Sequence, residues 1–65
     1  MKIDDCFEIA GFTVLTLSEN RPKTNWNTLR IEGLEYAPQI VMDAADNVIA
    51  IKGSYNLAGK TIEFV

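Results

Sequence analysis

Histidine is absent from these 65 residues, and cysteine occurs once. The first absence removes the side chain most used as a general base near neutral pH and the commonest metal ligand. The second rules out an intramolecular disulfide, so no crosslink supplements the core. A small domain without paired cysteines suits a reducing compartment better than secretion, and the expected location is cytoplasmic. Long apolar runs are missing too. The longest is Val48-Ile49-Ala50-Ile51, against the ~20 residues of a spanning helix. Met1-Lys2-Ile3-Asp4-Asp5 turns acidic at once and has no apolar stretch of signal-peptide type. A soluble chain with no membrane partner is expected.

A complete phosphate-binding loop is also lacking. Gly59-Lys60-Thr61 matches the end of G-x-x-x-x-G-K-[ST], but position 54, where the first glycine belongs, is Ser54. A helix must follow to aim its dipole at the phosphates. Only Ile62-Glu63-Phe64-Val65 follow here, and they alternate as a strand does. The segment reads as a turn entering a last strand, with Ile62 and Phe64 inward and Lys60 in water.

What is present is ordinary globular composition, 48% apolar and 23% charged. A chain of this size buries about 60% of the surface its unfolded form exposes, so the core is thin. Net charge is −3, which speaks mildly against a dedicated nucleic-acid binder. The distribution is uneven. Asn20 to Arg30 carries Arg21, Lys23 and Arg30 with no acid, which leaves −6 on the rest of the chain.

Periodicity points to strands. "CFEIAGFTVLTL" is β-branched and aromatic, with Phe7 and Ile9 alternating against Glu8 and Ala10, then a blurred pattern from Phe12 to Leu17. It reads as one long strand that coils at Gly11 and is buried on both faces beyond the bend. "SENRPKTNWNT" reads as loop. "LRIEGLEY" alternates, Leu29 and Ile31 inward and Arg30 and Glu32 outward, with a turn or bulge at Gly33. "QIVMD" and "VIAIKG" form a hairpin through Asp-Asn-containing turn sequence. A short helix over 39–46 competes, since Pro38 suits a first helical position. "TIEFV" is the last strand.

The expected fold is therefore all-β, one domain over 1–65. It is a strongly bent, five- to six-stranded small barrel of SH3-like, OB-like or translation-factor type, with at most one short helical turn. "FEIAGFTVL" followed by "LRIEGLEY" resembles the opening strands of translation-factor β-barrel domains over less than half of the chain. That resemblance implies a barrel and nothing about activity.

Enzymatic constellations are poor. Cys6 lies near Asp4, Asp5 and Glu8, and negative charge disfavours a thiolate; it reads as a small hydrophobe. Asp4 and Asp5 would point to opposite faces if extended. Asp43, Asp46 and Asn47 lack the glycine and distal glutamate of a calcium loop and read as turn formers. No catalytic residue, metal or cofactor is expected. Tyr36 and Tyr55 are expected to pack at strand ends.

"NRPKTNW" stands out, because bases, amides and the only tryptophan share a loop longer than usual hairpin connections. The candidate binding residues are Arg21, Lys23, Trp26 and Arg30. Trp26 could equally fold back as a lid on the core. The expected role is a non-enzymatic protein-binding module (an adaptor, regulator or inhibitor) for an unidentified protein partner. Single-stranded nucleic acid on the basic-aromatic loop is the less favoured alternative. The last strand is expected to leave a free edge, which suggests a homodimer by edge pairing.

Overall fold

The computed structural model describes all 65 residues. Seven strands and no helix are found: β1 (Ile3–Ile9), β2 (Phe12–Leu17), β3 (Leu29–Ile31), β4 (Leu34–Tyr36), β5 (Pro38–Gln39), β6 (Val48–Lys52) and β7 (Ile62–Phe64). They form two antiparallel sheets, in the orders β1-β2-β6-β5 and β4-β3-β7. The all-β expectation holds. The strand count was too low, and the strands divide between two sheets without closing into a barrel.

Two dipeptides account for the miscount. Ala10 and Gly11 have φ of 53° and 83°, and Glu32 and Gly33 have 51° and 82°. Positive φ at both central residues is what a two-residue type I′ hairpin requires, and its twist matches that of the flanking strands. Gly11 therefore does not coil one long strand; it reverses the chain between β1 and β2. Ala10, in place of the usual Asn or Asp, hides the first turn, while the expected turn or bulge at Gly33 proves to be a turn.

The Ala10-Gly11 turn fixes the pairing of Ile9 with Phe12, and everything else in the hairpin follows. Thr13, Leu15 and Leu17 face the core, while Phe7, Ile9, Phe12 and Val14 share the opposite face. A bulge at Asp4 then changes the parity of β1. Ile3 pairs with Leu17 although Asp5 pairs with Thr16, so Ile3 swings from the outer face into the core.

The core holds nine residues, all isoleucine or leucine. Ile3, Leu15, Leu17, Ile49 and Ile51 come from one sheet and Leu29, Ile31 and Ile62 from the other. Leu57 enters from the β6–β7 connection. At one corner the sheets are stitched by an isolated bridge between Lys2 and Thr61. There Ile3 N–H donates to the Lys60 carbonyl at 2.9 Å and Ile62 N–H to the Met1 carbonyl at 3.0 Å. These bonds occupy part of the edge that the sequence leads one to expect free on β7. At another corner β4 runs into β5 across Ala37 alone.

The "QIVMD" strand shrinks to Pro38–Gln39, which pairs with Ile51 and Ala50. Residues 40–47 form turns rather than the competing helix, closed by Val48 N–H on the Ala45 carbonyl at 3.1 Å, and Asp43 has φ 61°. Pro38 sits in an edge strand, where its missing N–H costs least.

Thr13 is the buried polar residue of the core face. Its Oγ1 donates to the Gly53 carbonyl at 2.6 Å and accepts from Tyr55 N–H at 3.1 Å, which clamps the chain leaving β6. Thr13→Val keeps the shape and deprives two backbone groups of their partner. An unfolding free energy lower by about 2 kcal/mol is expected in urea titration; no change would mean that water substitutes for the hydroxyl.

Candidate functional site

The connection between β2 and β3 is anchored at both ends and in the middle. Arg21 N–H donates to the Asp46 carbonyl at 3.0 Å. Its guanidinium donates to the Val48 carbonyl at 3.1 Å and the Ala45 carbonyl at 3.4 Å. Asn27 and Thr28 N–H groups reach the Val65 carbonyl, each at 3.0 Å. Between these points Trp26 folds back. Its indole N–H donates to the Pro22 carbonyl at 2.6 Å, and its ring meets Phe64 edge to face with centroids 4.8 Å apart. Asn25, at φ 68°, provides the reversal just before it.

This arrangement shapes an open groove of about 570 Å³. Arg21, Pro22, Lys23, Trp26 and Asn27 form one side, and Pro38, Ile40 and Asp46 complete it. Three of the four sequence candidates, Arg21, Lys23 and Trp26, thus come together. Arg30 does not line the groove. It lies on β3, paired across the hairpin with Glu35 at 3.1 Å. Lys23 is exposed and engages no protein group by hydrogen bond or ion pair. Trp26 packs against the core, as the lid reading expects, and it also lines the groove.

The other polar candidates are absorbed locally. Cys6 is partly buried against the core, and its Sγ accepts from Leu57 N–H at 3.4 Å. Lys60 pairs with Glu32 at 3.2 Å, and Thr61 forms the bridge with Lys2 at the entry to β7. Asn47 donates from its side chain to the Leu17 carbonyl at 3.2 Å, pinning the turn before β6. Tyr36 and Tyr55 meet edge to face at 5.2 Å.

One surface escaped the sequence reading. The outer face of the four-stranded sheet is apolar, with Phe7 52% and Ile9 58% exposed and Ile40 56% exposed beside them. A hollow of about 320 Å³ opens there, lined by Ile9, Ala10, Phe12, Val14, Gln39, Ile40, Val41 and Ala50. Its signal was the blurred pattern after Gly11. A strand apolar on both faces needs cover on both.

No family model, curated protein or solved structure matches this chain. No helix is long and apolar enough to cross a membrane.

Proposed function

We propose that this chain is a non-enzymatic protein-binding module that uses the β2–β3 loop groove. The observation that carries this reading is the composition of the groove. Trp26, Pro22, Pro38 and Ile40 offer an apolar surface, while Lys23, Arg21 and Asp46 bring charge of both signs. Mixed charge around an aromatic and prolines suits a polypeptide, which brings apolar side chains, backbone groups and both charges. A phosphate backbone calls for cations, and this loop has little free cation to give. Arg21 is held by two carbonyls, Arg30 by Glu35, and Asp46 stands in the same groove. That the two sheets wrap as a small, strongly bent barrel left open between them belongs to the same proposal, supported by the Lys2–Thr61 stitch and by the passage of β4 into β5 across one residue.

Lys23→Glu is the variant that tests the groove, because Lys23 is exposed and its loss removes no internal contact. A partner captured by the wild-type chain from cells is expected to be retained roughly tenfold less by this variant, with unfolding temperature unchanged. Oligonucleotide binding at low salt that falls steeply with added salt and with Lys23→Glu would instead favour the nucleic-acid alternative.

A further inference from the structure

The strand residues on the outer face of the β1-β2-β6-β5 sheet include two charges, and they stand at opposite corners. Asp5 pairs with Thr16 at one end of β1, and Lys52 pairs with Phe12 at the other end of β6. Neither is in an ion pair. With strands ~4.8 Å apart and ~3.4 Å per residue, the registers put Val14 midway between them.

We propose that this face docks a second copy of the chain, about a two-fold axis that lies in the interface and passes over Val14. That operation sets Asp5 of each copy against Lys52 of the other, two pairs for one interface. On the same lattice it carries Phe7 of the second copy over the triangle of Ile9, Phe12 and Val14. Those three residues line the 320 Å³ hollow, and Phe7 does not, so its ring is free to enter from outside. Each copy thus brings one knob and one hole, and both contacts repeat by symmetry.

Area agrees with a reversible pair. A face of three strands five to seven residues long with a two-residue edge strand spans on the order of 400 Å² in projection on each copy, about 800 Å² in all and below the range of stable interfaces. An interface this small makes a weak, transient pair. The β1 edge is the poorer route to the same dimer. Edge-to-edge pairing of two antiparallel β1 strands would gather the carboxylates of Asp4, Asp5 and Glu8 from both copies along one short seam, and Asp5 Oδ1 already accepts the Cys6 N–H at 2.9 Å. The face dimer goes beyond the groove's proposed role; Ile40 borders both, but Asp5, Phe7 and Lys52 lie outside the groove, so either can fail without the other.

Sedimentation equilibrium over micromolar to millimolar concentration tests it. The wild type is expected to move from 7.3 kDa to twice that mass, and Phe7→Glu to stay monomeric. Asp5→Lys alone should weaken the dimer roughly tenfold, and Asp5→Lys with Lys52→Asp should restore it to within about threefold. Both charged positions, Asp5 and Lys52, are exposed, so far-ultraviolet circular dichroism should be unchanged, and the charge exchange gives an answer even if Phe7→Glu misfolds. A wild-type chain monomeric throughout overturns the proposal. So does a dimer that persists in folded Phe7→Glu, or one that the double exchange fails to restore.

Discussion

Leu15→Ala should lower the unfolding free energy by about 3–4 kcal/mol, the range for truncating a fully buried leucine. Leu15 has no exposed surface, sits among the nine core residues, and is paired with Cys6 on one side and Ile49 on the other. A domain of this length has on the order of 3–10 kcal/mol in total, so one side chain accounts for a large share. The melting temperature should fall by roughly 15–25 °C, read by circular dichroism. Phe7→Ala, on the opposite face of the same hairpin, should cost under about 1 kcal/mol in the monomer. If the two variants were equally destabilised, the assignment of faces in β1 and β2 would be wrong.

Trp26→Ala comes next, at about 2–3 kcal/mol in urea titration. The residue is only half-buried, which keeps the figure below that of a fully enclosed aromatic. It nevertheless loses the edge-to-face contact with Phe64, worth roughly 0.5–1.5 kcal/mol, and the hydrogen bond to the Pro22 carbonyl. Trp26→Phe keeps the ring contact and removes the N–H, so about 1 kcal/mol is expected there. Lost partner binding in Trp26→Ala would therefore mix unfolding with damage to the groove, whereas Lys23→Glu separates them. A Trp26→Ala protein as stable as wild type would show that the tryptophan does not hold the core.

The strands were legible wherever alternation met a clear boundary. Leu29, Ile31 and Ile62 were placed inward from their period, and they form the core side of the second sheet. What stayed hidden depended on backbone geometry that side chains do not announce. Ala10-Gly11 and Glu32-Gly33 carry no asparagine or aspartate, so the first hairpin reads as a bend and the second as a turn or a bulge. The bulge at Asp4 was invisible because a parity change can be seen only against a partner strand. For the candidate site, the cluster of bases and tryptophan points to the loop whose Arg21, Lys23 and Trp26 line the groove. Sequence could not show that Arg21 turns back onto the carbonyls of a loop 24 residues away, or that Arg30 belongs to a different face.

The stitch between Met1–Ile3 and Lys60–Ile62 also sets an order of events. Ribosomes deliver roughly 5–20 residues per second, so the first strand exists for several seconds before its neighbour in the second sheet is made. The β1–β2 hairpin needs only a two-residue loop and can pair early, but Ile3 must wait beside Leu17 with one side uncovered. Such widely separated pairings slow assembly. This domain therefore closes last the corner where its first and last strands meet, and a chain cut before Lys60 would leave an open, apolar corner for proteases and chaperones to find.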